Sequence, residues 1–143
     1  MQERRVAEEA ALLRRRFPHA RAGVDPGAGT GWVYLPAFPL PRGWNRRATE
    51  LLVIVPAGYP HVPPDSFFLQ RGLRDAAGRP LSHYFEEQQG HNPYHDRGWA
   101  WFCYHLVTGA WRPAARPLQG DTLLTYVNVI HQALGGVLAR PRR

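Results

Sequence analysis

The 143-residue chain is predicted to fold as a single α+β domain: an N-terminal helix, a four-stranded antiparallel meander, a long loop and a C-terminal helix packed on the sheet. Three observations lead there. Apolar residues recur at helical spacing in 2–17 and again after residue 121. Between these segments, short β-branched and aromatic runs are parted by Gly- and Pro-rich turns, which favours antiparallel pairing of neighbours. The length suits one hydrophobic core but not two.

The first helix rests on Val6, Ala10, Leu13 and Phe17, at i, i+4, i+7 and i+11, with Glu and Arg in most remaining positions and Pro18 as the stop. Gly23 to Gly31 reads as a turn. Its Gly27-Ala-Gly-Thr-Gly31 lacks the buried strand, following helix and lysine of a phosphate loop. The predicted strands are Arg21–Val24, Trp32–Leu35, Thr49–Val55 and Ser66–Leu69. From Arg71 to Gly98 the pattern dissolves into polar sequence, and a structureless stretch that long inside a domain is usually functional or mobile. Asp121 is read as the N-cap of the second helix, whose apolar face is Leu123, Leu124, Val127, Ile130 and Leu134. Gly135-Gly136 is expected to stop it, leaving about 137–143 as a frayed basic tail.

Composition removes several function classes. No apolar run approaches the ~20 residues of a membrane helix, and the charged start has no signal-peptide core. A single cysteine cannot form an internal disulfide, so a cytoplasmic location is expected. The net charge of +7 raises nucleic acid as a partner. However, the arginines cluster at Arg4-Arg5, Arg14-Arg15-Arg16, Arg46-Arg47 and the tail, without the interleaved aromatics of a single-strand platform. A solvated face, or one that docks an acidic protein, fits better. All 18 basic residues are arginine. That agrees with a codon bias towards Arg, Ala, Gly and Pro, and equally with a protein that holds an activated acyl group and benefits from lacking its own amine nucleophiles.

Cys103 is the residue with the most chemistry around it: His91, Asn92, His95 and His105 lie near in sequence, His83 further off. A cysteine reacts as its thiolate, which needs a lowered pKa or a nearby base. If Trp101 to Leu106 is extended, Cys103 and His105 share a face. Metal is the competing reading, because His91, His95, Cys103 and His105 place four nitrogen or sulfur groups within fifteen residues. The third account has no chemistry in it: free cysteines are often buried and inert, and loop histidines are usually solvated.

The surrounding motifs resemble those of the ubiquitin-conjugating (UBC-like) superfamily. Leu51-Leu-Val-Ile-Val55 runs into Tyr59-Pro-His-Val-Pro-Pro64, Cys103 follows a polar loop, and Trp111-Arg-Pro113 comes eight residues later. Trp99-Ala-Trp-Phe-Cys-Tyr-His105 and Leu124-Thr-Tyr126 are similar to its prokaryotic family E branch. The resemblance implies that Cys103 carries a ubiquitin-like protein as a thioester, received from an activating enzyme and passed to a protein target, with no cofactor or metal on this chain. It implies a second functional side chain at His105, which could orient an intermediate or act as a general base, and an oxyanion donor at Asn92. The family's His-Pro-Asn is here His91-Asn92-Pro93, further from the cysteine than usual. The chain also stops where typical members add two helices, and Asp121 is its only acidic residue after Cys103. A non-catalytic UBC-like binding module and a Cys-His hydrolase that removes such tags remain open beside it.

Overall fold

The computed structural model describes residues 3–87, 92–107 and 109–139. Helix α1 spans Glu3–Arg16, and strands β1 (Arg21–Asp25), β2 (Thr30–Pro39), β3 (Ala48–Val55) and β4 (Phe67–Gln70) follow as an antiparallel meander. Strands β5 (Tyr84–Phe85) and β6 (Trp99–Phe102) then extend the sheet, whose order is β1-β2-β3-β4-β6-β5, and α2 (Leu123–Ala139) closes the chain. The α+β class, both helices and the four-strand meander agree with the expectation; the count of four strands does not, because the sheet has six among the described residues. Strand β6 inserts beside β4 in the register Phe67↔Phe102 and Gln70↔Trp99, and β5 pairs with it through Tyr84↔Phe102. A two-residue strand carries no periodicity, so β5 had no signal to find.

Alternation sets which side chains meet the helices. In β3 the residues at 49, 51, 53 and 55 are buried while those at 50, 52 and 54 are half-buried, the period-two pattern of a sheet covered on one face. Val33, Leu35, Leu51, Val53, Phe67, Leu69 and Phe102 make the sheet side of the core, and Leu13, Tyr126, Val127, Ile130 and Leu134 belong to the same cluster from the helices. The other face carries Trp32, Tyr34, Leu52, Ile54 and Trp99 around a shallow cavity of about 710 Å³.

Two helix boundaries correct the sequence reading. Thr122, not Asp121, caps α2: Thr125 N donates to Thr122 Oγ1 at 3.4 Å, and Thr122 N donates back to Thr125 Oγ1 at 3.0 Å. Asp121 accepts from Arg112 N at 2.7 Å and closes the loop between them. The helix also runs through Gly135-Gly136 to Ala139. Two helical glycines cost about 1 kcal/mol each relative to alanine. Val137 and Leu138 beyond them pack on the core, and Trp44 Nε1 donates to Leu134 O at 3.1 Å, so tertiary contacts override the local preference. A side chain at Gly43 would come within 2.8 Å of Leu138, which shows how closely the 40s loop approaches this last turn.

A buried charge joins the two helices. Glu9 is fully buried and pairs with Arg5, itself 6% exposed. Its Oε1 accepts from Tyr59 Oη at 2.5 Å and from Leu123 N, the first amide of α2, at 2.6 Å. Arg5 Nη1 donates to the carbonyls of Ala114 and Ala115 at 2.6 and 3.1 Å. One carboxylate thereby satisfies groups from α1, the Tyr59-Pro60 turn and the start of α2.

Candidate active site

Cys103 lies one residue past the end of β6, and both neighbouring segments continue the ladder around it. Its N–H donates to His83 O at 2.9 Å, and the carbonyl of Tyr104 accepts from Ser66 N at 2.9 Å. Ser66 and His83 both adopt left-handed backbone, with φ of 58° and 64°, a conformation that few non-glycine residues enter. Two loops thus bend sharply where they grip the backbone of Cys103 and of Tyr104 beside it, a placement common at functional sites.

The thiol is partly exposed, and His105 Nε2 lies 3.8 Å from its Sγ, within reach for a sulfur hydrogen bond. The expected sharing of a face by Cys103 and His105 is what this distance reports. On the other side of the ring, His105 Nδ1 meets Asp65 Oδ1 at 2.5 Å. The His105 and Asp65 side chains are 65% and 70% exposed, so their pairing adds little to stability. Its consequence is orientation: with Nδ1–H given to the carboxylate, the lone pair of Nε2 points at sulfur. Asp65 escaped the sequence reading because it sits forty residues from its partner. The one available signal was an acidic residue directly after Pro63-Pro64.

The residue after Asp65 is anchored from α2. Tyr126 on α2 is fully buried and its hydroxyl donates to Ser66 O at 3.0 Å. Burial, and after it the charges of Asp65 and Tyr104, push that hydroxyl far above the ordinary tyrosine range, so it stays a donor. Downstream of the cysteine, Trp111 Nε1 donates to Pro60 O at 2.7 Å and its ring lies 6.1 Å from that of Tyr59. Trp111 thereby holds the loop after the cysteine against the Tyr59-Pro60 turn. A cavity of about 230 Å³ opens beside Cys103, lined by His83, Phe102, Tyr104 and, from α2, Ala133, Gly136 and Val137. His83, further off in sequence, therefore borders the site.

The other nominated residues are placed elsewhere. Asn92 is 1% exposed, donates through Nδ2 to Trp99 O at 2.9 Å and accepts from Tyr94 N at 3.0 Å. Trp99 begins the strand that Cys103 follows, and four extended residues span roughly 13 Å. The structure therefore gives Asn92 to the turn before β6 and does not bring it to the sulfur. His95 contacts Arg71 at 3.4 Å and Asp96 at 3.5 Å, not Cys103. His91 lies outside the described residues. Among the described residues no group of three or more His, Cys, Asp or Glu side chains is arranged to hold a metal ion. Nor is any described helix long and apolar enough to cross a membrane.

A family model described as prokaryotic E2 family E matches residues 16–136. No curated protein and no solved structure matches the chain.

Proposed function

The chain belongs to prokaryotic E2 family E, and from that membership we propose that it is a conjugating-enzyme-like carrier that holds a ubiquitin-like protein as a thioester on Cys103. The observation that carries the reading is the Cys103–His105–Asp65 arrangement, with a partly exposed sulfur 3.8 Å from an imidazole whose far nitrogen is engaged. A structural cysteine needs neither an oriented base nor exposure. In the loading step Sγ, as thiolate, attacks the carbonyl carbon of the activating enzyme's thioester. The tetrahedral adduct then collapses with loss of that enzyme's thiolate. The cavity beside Cys103 is the space on this chain for the end of the modifier's tail, bordered by the small residues Ala133 and Gly136.

The test is a charging assay with ATP, an activating enzyme and its ubiquitin-like protein, read on a non-reducing gel. The wild type is expected to gain one modifier, lost on adding thiol reductant. Cys103→Ala should give no adduct and Cys103→Ser a reductant-resistant ester. An adduct that survives Cys103→Ala would end the proposal.

We assign docking of the activating enzyme to the α1 face carrying Arg14 and Arg15. Both lie in the last turn of α1 and are exposed, whereas Arg16 is tied to Asn128 Oδ1 at 2.5 Å. Arg14→Glu with Arg15→Glu is expected to slow charging about tenfold or more at low ionic strength, with the difference shrinking as salt rises. Unchanged charging at low salt would remove this assignment.

A further inference from the structure

Resting on the carrier reading, we infer that the Cys103 thioester is discharged to an oxygen nucleophile, a hydroxyl or water, and that His105 is the general base for that step. Once Cys103 is acylated its sulfur no longer engages a proton, and Nε2 is left beside the new carbonyl with its lone pair free. Asp65 holds Nδ1 at 2.5 Å and so keeps the ring turned with Nε2 towards the sulfur.

The acceptor class follows from what an oriented imidazole is good for. A neutral amine attacks a thioester without help, and an amine acceptor chiefly needs its ammonium form discouraged. A hydroxyl or water is almost wholly protonated and a weak nucleophile, and it gains most from a base within hydrogen-bond reach. The acidic group at this site, Asp65, has one oxygen committed to His105 and is 70% exposed, so it provides no buried pocket for a lysine ammonium. The exposure of both side chains leaves the approach to Nε2 open to solvent and to a substrate side chain.

The step balances without a further reagent. The acceptor oxygen bonds to the thioester carbonyl carbon as its proton passes to His105 Nε2. The tetrahedral adduct then breaks its C–S bond, and the departing Cys103 sulfur takes the proton from the imidazolium. The products are an ester or a free carboxylic acid, together with the Cys103 thiol. Asp65 is a positioning residue here, acting through His105 and touching no reacting atom. It is placed by the left-handed Ser66 and by the Tyr126 hydroxyl on Ser66 O.

The experiment uses no other protein, so its failure is separable from failure of the carrier reading. The chain is loaded with the mercaptoethanesulfonate thioester of a short peptide ending in Gly-Gly. Its acyl form is then followed by intact mass in buffer alone, with N-acetylserinamide and with Nα-acetyl-lysinamide. Rates are counted per loaded molecule. The expected result is ester or acid formation whose ratio to amide formation falls about 10²-fold in His105→Ala. The fall should be smaller in Asp65→Asn. His105→Gln, a second variant at this exposed position, checks that the loss is chemical rather than conformational. Ester on the serine probe identifies a hydroxyl acceptor, and acid alone identifies water; either supports the inference. Loading followed by discharge that is indifferent to His105, or that prefers the amine in the wild type, overturns it while the carrier reading stands. Failure of Cys103 to load at all overturns both.

Discussion

Replacing Glu9 by glutamine is expected to lower the free energy of unfolding by about 3–5 kcal/mol, a large fraction of an ordinary domain's stability. The amide keeps the shape but removes the charge that balances Arg5, and Arg5 is buried at 6% exposure with its Nη2 already lacking a partner among the described residues. An uncompensated buried guanidinium is the costly outcome, much more than loss of the attraction itself. The hydroxyl of Tyr59 depends on the same carboxylate. Burial first, and Glu9 second, hold that hydroxyl protonated far above the usual tyrosine range, as a donor to Glu9 must be. Urea denaturation followed by circular dichroism measures the loss. The double variant Arg5→Met, Glu9→Gln should recover part of it, because the orphaned charge is gone. A loss near the ~1 kcal/mol of an exposed ion pair would mean that the network is hydrated and structurally minor.

Phe102→Ala should cost about 3–5 kcal/mol by the same measurement, through a cavity rather than a charge. The ring is 2% exposed and stacks on Phe67 with centroids 4.8 Å apart and planes at 9°. These two residues directly precede Cys103 and directly follow Ser66, so they form the floor on which both halves of the site rest. Phe67→Ala should cost a similar amount, and the pair should couple by about 0.5–1.5 kcal/mol in a double-mutant cycle. Strictly additive losses would show that the rings fill space independently and do not lock β4 to β6.

The legible part of this fold was the part written in periodicity. Val6, Ala10, Leu13 and Phe17 announced α1, and the β-branched apolar run of Thr49–Val55 announced β3, whose alternating burial only the fold shows. Strand β6 alternates too, Trp99 and Trp101 half-buried against Ala100 and Phe102 buried, but it follows a polar stretch and is only four residues long. The ends of α2 were misread for a different reason. Asp121 is a good cap and Gly135-Gly136 a good stop in isolation, yet the loop at Arg112 and the packing of Val137 and Leu138 decide both ends.

At the site, Cys103 and His105 were readable because they are two residues apart on an extended segment. Asp65 joins them only through the pairing of β4 with β6, which no local pattern encodes. Asn92 is the reverse case. Its amide looked available in the sequence, and in the fold both ends of it are spent on closing a turn.

The two left-handed residues beside Cys103 separate what the site is from what it does. Ser66 and His83 fix the nucleophile's position chiefly through main-chain bonds, to Tyr104 O and from Cys103 N, with the Ser66 hydroxyl adding a long bond to the same Tyr104 carbonyl at 3.5 Å. No side chain at 103 or 105 takes part in that grip. The atoms that perform chemistry can therefore be exchanged, sulfur for oxygen or imidazole for amide, while the frame that aims them stays intact. Ser66 and His83 are held to a narrower set of residues, with glycine and asparagine the ready substitutes, for reasons that have nothing to do with reactivity. In such a domain the chemistry is interchangeable and the unremarked loop positions are the ones that cannot drift.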